Sequence, residues 1–71
     1  MSQDIGHRII VRRAILRMTQ ADLARRLGLA RSYISMLENG ERPLNDELLQ
    51  RIAAALDCKP EYFLREFQDV A

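Results

Sequence analysis

The sequence predicts an all-α fold, a compact five-helix bundle in which residues 1–71 form a single domain. Apolar residues recur at the three- and four-residue spacing of amphipathic helices. Residues that commonly begin or end helices separate these apolar stretches, among them Thr19, Gly28, Asn45 and Pro60. Because 71 residues enclose only a small core, we expect close packing or self-association to stabilise the domain.

Helix 1 is predicted over residues 5–17, where Ile5, Ile9 and Leu16 share one face. A second face of the same helix is also apolar and holds Ile10, Val11, Ala14 and Ile15. So small a domain cannot bury both faces fully. We therefore expect helix 5 to cover the second face loosely, with a surface for a partner as the alternative.

Helices 2 and 3 are predicted over residues 20–27 and 31–39, joined by a tight turn. Their apolar faces hold Leu23, Ala24, Leu27, Ile34 and Leu37. Gly28 stands where helix 2 must end with a positive φ. Ala24, four residues earlier, is small enough to let the two helices cross closely. This spacing is that of a DNA-binding helix-turn-helix.

Residues that cap helices support these boundaries. Thr19 and Asp22 are placed to form a capping box at the start of helix 2, with Met18 and Leu23 as the hydrophobic staple around it. Helix 3 is preceded by Ala30, which is a poorer cap than serine or threonine.

The last two helices also have recognisable ends. Asn45 is the expected cap of helix 4, which is predicted to extend to Leu56, with Asp57 in a left-handed conformation after it. Pro60 is predicted at the first position of helix 5. This last helix carries Tyr62, Phe63, Leu64 and Phe67.

The motif as a whole resembles the XRE family, the phage-repressor-like helix-turn-helix proteins of the Cro and cI type. The resemblance rests on Gln20, Gly28, Ile34 and the run Glu38-Asn39-Gly40. It extends over about residues 5–64 and implies a lambda-repressor-like DNA-binding domain. Residues 31–35 also resemble the small controller proteins of restriction–modification systems, and phage repressors and small antitoxins fit nearly as well.

In a helix-turn-helix, the N-terminal part of helix 3 enters the major groove. The residues there that we expect to read base edges are Arg31, Ser32, Ser35 and Met36. The residues that we expect to contact phosphates are Gln20, Tyr33, Asn39 and Arg42. For Tyr33, a half-buried ring is an equally weighted alternative. Arg31 is the strongest candidate of all, because its guanidinium can contact both major-groove acceptors of guanine.

The resemblance also implies a buried ion pair. Relatives often bury an arginine of helix 1 against a glutamate at the end of the recognition helix. Here Arg13 and Glu38 stand at those positions. Arg17 stands where relatives often have glycine, so the turn into helix 2 is expected to differ slightly.

Positive charge is concentrated in the half of the chain that carries this motif. Residues 1–42 hold eight basic and four acidic residues, a net charge of +4. Residues 43–71 hold three basic and six acidic residues, a net charge of −3. A basic region over a helix-turn-helix is typical of nucleic-acid contact. Solvated helix faces are the alternative explanation of the same charges.

Catalysis and metal binding find no support in the sequence. His7 is the only histidine and Cys58 the only cysteine, so neither a Cys/His pair nor a metal cluster is indicated. We therefore expect no enzymatic activity, no metal and no cofactor. A lone cysteine forms no internal disulfide, and no apolar run approaches the ~20 residues of a membrane span. A cytoplasmic location without membrane contact is therefore expected.

The function indicated is sequence-specific DNA binding by a regulator of transcription. One helix-turn-helix covers only a few base pairs, so we expect a homodimer on a two-fold operator in double-stranded DNA. The expected dimer contact is the end of the chain, with Tyr62, Phe63, Leu64 and Phe67. The alternative is an antitoxin-like or adaptor module whose main role is to bind a protein partner such as a toxin.

Overall fold

Five helices follow one another in the computed structural model, which describes residues 3–64. They are α1 (Gln3–Ile15), α2 (Gln20–Leu27), α3 (Arg31–Glu38), α4 (Asp46–Ala55) and α5 (Glu61–Leu64). Helix α2 packs against α3 and α4, while α1 packs against α3 and α5. The described residues contain no strand, which confirms the predicted all-α class.

The α2 helix has the predicted boundaries because both of its ends carry strong local signals. The Thr19 side chain accepts a hydrogen bond from the backbone N–H of Asp22, and the Asp22 carboxylate accepts one from the N–H of Thr19. This is the predicted capping box. At the other end, Gly28 adopts φ 71° and its N–H donates to the carbonyl oxygen of Ala24.

Two residues other than glycine adopt a left-handed backbone. Arg17 has φ 56°, so α1 ends at Ile15 and not at residue 17 as predicted. This conformation accounts for the glycine that relatives often have at that position. Asp57 has φ 58°, as expected, and follows the C-cap of α4.

The ends of α3 and α5 differ from prediction by one residue each. Helix α3 ends at Glu38, and Asn39 is its C-cap. Helix α5 begins at Glu61, so Pro60 precedes the helix instead of opening it. The N-cap of α4 is Asn45, as predicted, and its side chain accepts from the N–H of Leu48.

Every helix contributes to one apolar core. The largest fully buried side chains are Ile9, Leu23, Ile34, Ile52, Leu56 and Phe63. Burying each such side chain contributes about 1.5–3 kcal/mol to stability before the entropy cost of ordering it. Phe63 is only 1% exposed. The prediction that it forms a dimer contact is therefore wrong, because the core of its own domain already occupies its ring.

Gly6 lets α1 approach the end of α3 very closely. A Cβ atom at this position would lie 2.2 Å from the backbone oxygen of Glu38, well inside van der Waals contact. Gly6 is in the interior of α1 and has no turn to make. Its role is to let two backbones meet, and this contact lies beside the Arg13–Glu38 pair described below.

Two arginines of α1 donate hydrogen bonds to backbone oxygens in the C-terminal part of the domain. Arg8 is buried, and its Nη1 donates to the backbone oxygen of Tyr62 at 3.1 Å. Arg12 donates to the backbone oxygens of Leu56 at 3.0 Å and Asp57 at 2.9 Å. A cation at the C-terminal end of α4 suits the helix dipole. The Arg8 bond holds the four-residue α5 against α1, and the Arg12 bonds hold the end of α4 there.

The second apolar face of α1 remains open. Ile10 and Val11 are each 37% exposed and Ile15 is 59% exposed. Helix α5 contacts α1 on the side of Arg8 and Arg12 and leaves Ile10, Val11 and Ile15 accessible. The cover that we expected from helix 5 is therefore incomplete.

Among residues 3–64, no helix has the length and apolar character needed to cross a membrane. Within the same residues, no group of three or more His, Cys, Asp and Glu side chains is arranged to hold a metal ion.

Candidate nucleic-acid interface

The first turn of α3 presents its polar side chains to solvent. Arg31 and Ser32 are exposed, whereas Ser35 and Met36, one turn later, are half-buried. Ala30 takes the extended N-cap conformation but provides no side-chain hydrogen bond to the helix. The predicted base-reading residues thus lie along one stretch of α3, and the two at its start are the most accessible.

Gln20, at the start of α2, meets Arg31 across the turn of the motif. The Arg31 Nη1 donates to the Gln20 Oε1 at 3.2 Å. The Gln20 Nε2 in turn donates to the Glu38 Oε1 at 2.8 Å. One predicted phosphate contact and the strongest predicted base reader are therefore joined directly.

The ion pair between Arg13 and Glu38 is formed as expected. Arg13 donates through Nε to one carboxylate oxygen at 2.7 Å and through Nη2 to the other at 3.1 Å. Its Nη1 also donates to the backbone oxygen of Met18, in the turn before α2. The two side chains are 14% and 2% exposed, so the pair is largely shielded from water. It links α1, the turn before α2 and the end of α3.

Tyr33 and Arg42 lie close together beyond this network. The guanidinium carbon of Arg42 is 5.9 Å from the centre of the Tyr33 ring, within the range of a cation–π contact. The Tyr33 ring is half-buried against the core, which is the alternative that we weighed for it. Asn39 and Arg42 are exposed at the end of α3 and in the loop after it.

Hydrogen bonds and burial shift the pKa values of two groups. The backbone N–H of Thr19, and then its hydroxyl, lower the pKa of the Asp22 carboxyl, and Arg25 lowers it further. Asp22 therefore remains ionised in the first turn of α2, where a negative charge suits the helix dipole. Burial raises the pKa of the Cys58 thiol, which is partly buried against the core.

Comparison with known proteins identifies the family. The family profile described as HTH_3, helix-turn-helix, matches residues 11–63, which is most of the chain. The chain belongs to this helix-turn-helix family. The resemblance to XRE-type, phage-repressor-like members is thereby confirmed.

Two curated proteins are similar to this helix-turn-helix chain. Repressor protein C2 of Salmonella phage P22 is 38% identical over 64 residues, which are 90% of this chain and 30% of the repressor. The uncharacterised HTH-type transcriptional regulator y4aM of Sinorhizobium fredii (strain NBRC 101917 / NGR234) is 32% identical over 65 residues. That match covers 92% of this chain and 46% of the regulator. The chain therefore spans less than half the length of either relative.

Two solved structures share the fold of this helix-turn-helix domain. The DNA-binding domain of the P22 C2 repressor superposes with a TM-score of 0.84 at 35% identity, over 100% of this chain and 91% of that one. The restriction-modification controller protein C.AhdI from Aeromonas hydrophila superposes with a TM-score of 0.82 at 31% identity, over 87% and 94%. These matches confirm the predicted five-helix, repressor-like fold.

The predicted dimer residues of this helix-turn-helix chain divide into three groups. Tyr62 and Leu64 are exposed, at 38% and 55%. Phe63 is in the core, as described above. Phe67 lies outside the described residues. An apolar contact between two copies can therefore use only Tyr62 and Leu64 from α5.

Two residues of the second apolar face of α1, Val11 and Ile15, are exposed beside α5. Arg8, Arg12 and Ile15 follow one another at four- and three-residue intervals, so they share a stripe on α1, and Val11 lies beside it. Arg8 and Arg12 contact α5 directly, and the Arg12 guanidinium carbon lies 5.7 Å from the centre of the Tyr62 ring. Val11 and Ile15 therefore lie on the side of α1 that adjoins α5. The sequence led us to expect helix 5 near this face, and the contacts of Arg8 and Arg12 show which side of α1 it meets.

Proposed function

We propose that this chain is a sequence-specific DNA-binding regulator of transcription whose α3 lies in the major groove. The observation that carries the proposal is the bond between Arg31 and Gln20. It joins an exposed guanidinium at the start of α3 to an amide at the N-terminus of α2. Such helix N-termini favour phosphate, and a guanidinium favours guanine.

The hydrogen-bonding capacity of both side chains supports this proposal. One N–H of Arg31 is used by Gln20, and among residues 3–64 its remaining N–H groups have no partner and are available to a base. One N–H of the Gln20 amide is used by Glu38, and the second is available to a phosphate oxygen. Gln20 can therefore hold Arg31 and contact the DNA backbone at once.

The relatives support the same function. The P22 C2 relative is a phage repressor, and the matching part of it is a DNA-binding domain. The structural match to C.AhdI adds a controller protein of a restriction–modification system. A DNA-binding repressor domain and a controller protein both favour regulation through DNA, so regulation at a specific site is the function that we assign to this chain.

Selection from a random DNA pool tests this function. A duplex library with a randomised centre is incubated with the purified chain, and the bound fraction is amplified and sequenced. We expect an enriched motif with two-fold symmetry whose half-sites lie about 34 Å apart, one helical turn. Recovery of unenriched sequences at every salt concentration would contradict sequence-specific binding.

We further propose that the regulator acts as a homodimer through α1 and α5. Val11, Ile15, Tyr62 and Leu64 are exposed apolar side chains on two helices that pack together, and we call them the α1/α5 surface. Exposed apolar patches of this kind mark interaction sites. A second copy related by a two-fold axis would place its own apolar patch against this one.

Binding of a different protein is the second candidate function, and the same exposed apolar side chains favour it. Light scattering coupled to size-exclusion chromatography distinguishes the two. A dimer over the concentration range used for DNA binding supports the homodimeric regulator. A monomer that nevertheless exposes the α1/α5 surface would favour a protein partner.

A further inference from the structure

The two partners of Gln20 fix which way round its side-chain amide points. The Glu38 carboxylate only accepts hydrogen bonds, so it takes the Nε2 group of Gln20 at 2.8 Å. The Arg31 guanidinium only donates, so it faces the Oε1 atom at 3.2 Å. An amide has nearly the same shape either way round. The charges of its partners, and not steric fit, therefore determine its direction.

Glu38 is itself held firmly. Its side chain is 2% exposed, and both carboxylate oxygens accept hydrogen bonds from Arg13. The backbone of Glu38 touches α1 at Gly6, where not even a methyl group would fit. The carboxylate thus has one position relative to Gln20, and a chain of polar contacts extends from buried Arg13 to exposed Arg31.

We propose that Glu38 is a positioning residue for DNA-sequence selectivity, although it is buried and does not reach the DNA. By fixing the Gln20 amide, it makes residue 20 present an acceptor to residue 31. That acceptor holds the Arg31 guanidinium in one orientation before DNA binds. The inference rests on the proposed role of Arg31 as a base reader and adds a residue that acts through it.

Replacing Glu38 by glutamine removes the constraint with a change of one atom. A glutamine at this position can keep its oxygen on the Arg13 Nε and direct its own NH2 group to Gln20, although this gives up the bond from the Arg13 Nη2, which donates to the same Glu38 oxygen as Gln20. Gln20 can then turn its Oε1 toward residue 38 and its Nε2 toward Arg31. A donor would face a donor there, and Arg31 would lose its fixed orientation.

The first test compares Glu38→Gln with Glu41→Gln on the selected duplex and on a scrambled duplex of equal length. Both variants remove one negative charge, and residue 41 is exposed in the loop after α3. Their effects on non-specific attraction to DNA should therefore be similar. We expect Glu38→Gln to lower the ratio of specific to scrambled affinity by about 5- to 10-fold, the value of one hydrogen bond. We expect Glu41→Gln to leave that ratio unchanged.

The second test repeats Glu38→Gln in a chain that carries Arg31→Ala. If Glu38 acts through Arg31, its substitution lowers the selectivity of that variant no further. Independent, additive losses would overturn the proposal and leave the base-reading role of Arg31 intact. If Arg31→Ala itself weakens both duplexes equally, both the base-reading role and this coupling are wrong.

A third variant keeps the Arg13–Glu38 ion pair and so controls for loss of folding. Gln20→Met has a similar length, leaves Arg13 and Glu38 paired, and has no amide. We expect it to lower selectivity in the original chain but not in the Arg31→Ala chain. Circular dichroism at the binding temperature checks that each variant is folded. Full selectivity in folded Gln20→Met would overturn the proposal, because the acceptor for Arg31 would then be unnecessary.

Discussion

The contribution of Arg13 and Glu38 to stability depends on the fact that the pair is buried. Arg13 brings a positive charge to a carboxylate that is 2% exposed. Such a pair adds little net stability compared with apolar residues of the same size, but removing one partner leaves a buried charge uncompensated. Its contribution is therefore mainly to specify how α1, α2 and α3 meet.

This argument predicts a large effect of Arg13→Met. Loss of the guanidinium leaves the Glu38 carboxylate with Gln20 as its remaining side-chain partner among the described residues, so the free energy of unfolding should fall by about 3–5 kcal/mol. Urea denaturation measures the change. The control is Arg25→Met, which removes an exposed ion pair with Asp22 and should cost less than about 1 kcal/mol. An equal fall in the free energy of unfolding for the two variants would show that the buried pair matters no more to stability than the exposed one.

The contact between α1 and α3 explains why a glycine occupies position 6, where the helix itself does not require one. Gly6 is in the interior of α1, where alanine would normally be favoured by about 0.5–1 kcal/mol. The end of α3 passes so close that a methyl group would overlap the backbone of Glu38. Tertiary packing thus reverses the preference that the helix alone would have.

We therefore predict that Gly6→Ala destabilises the domain although it improves helix propensity. The overlap is with backbone and cannot be relieved by a side-chain rotation, so we expect a loss of at least about 1–3 kcal/mol. His7→Ala is the control, because residue 7 is exposed on the same helix and should change stability by only a few tenths of a kcal/mol. Thermal unfolding of both variants gives the comparison. A stabilised Gly6→Ala variant would mean that α1 and α3 are farther apart than described here.

A substitution at the start of α3 is predicted to stabilise the domain. Ala30 already has the extended backbone of an N-cap, φ −77° and ψ 147°, but offers no side-chain acceptor. Ala30→Ser supplies a hydroxyl for an otherwise uncapped N–H and should raise the free energy of unfolding by about 0.5–1 kcal/mol. Urea denaturation of the variant, with Ala30→Val as a control that adds no acceptor and is as poor an N-cap as alanine, checks the gain.

The sequence was most informative where a short local signal decides the structure. The capping box at Thr19, the glycine at the end of α2 and the asparagine before α4 each determine a helix boundary by themselves. The Arg13–Glu38 pair came from the resemblance to a family. The Arg31–Gln20 contact was not predicted, because it depends on how the two helix starts face each other across the turn.

The sequence was least informative where tertiary contacts decide. Helix α5 has only four residues, which is too short for periodicity to distinguish buried Phe63 from exposed Tyr62 and Leu64. The close contact at Gly6 is between residues 32 positions apart, and no local sequence pattern indicates it. The sequence led us to expect helix 5 near Val11 and Ile15, but how much of them it leaves exposed depends on how α1 and α5 pack.

Across the whole molecule, the proposed DNA-binding surface and the proposed dimer surface are separate. The arginine-rich half of the chain, residues 1–42, holds the helix-turn-helix, and the α1/α5 surface combines two residues of this half with two of the acidic half. Because one helix-turn-helix contacts only a few base pairs, the proposed dimer would supply a longer site. The proposed dimer surface and the proposed DNA surface involve different side chains and can be tested separately.

We predict that a charge placed on the α1/α5 surface yields monomers. Ile15→Asp and Leu64→Asp each put a carboxylate among apolar side chains that a second copy would cover, and burial of that charge is costly. Gln50→Asp, at an exposed position of α4, is the matched control and should remain dimeric. Light scattering gives the mass. If all three variants remain dimeric, the two copies meet through another surface.

The central claim is that Arg31 reads sequence while Gln20 holds the DNA backbone. The most direct measurement is the affinity of Arg31→Ala and Gln20→Ala for the selected duplex and a scrambled duplex at one salt concentration. We predict that Arg31→Ala costs about 1–3 kcal/mol on the selected duplex and little on the scrambled one. Gln20→Ala should weaken binding to both, with an additional loss on the selected duplex because it also removes the acceptor for Arg31. Equal losses on the two duplexes for Arg31→Ala would contradict the account and make Arg31 a phosphate contact.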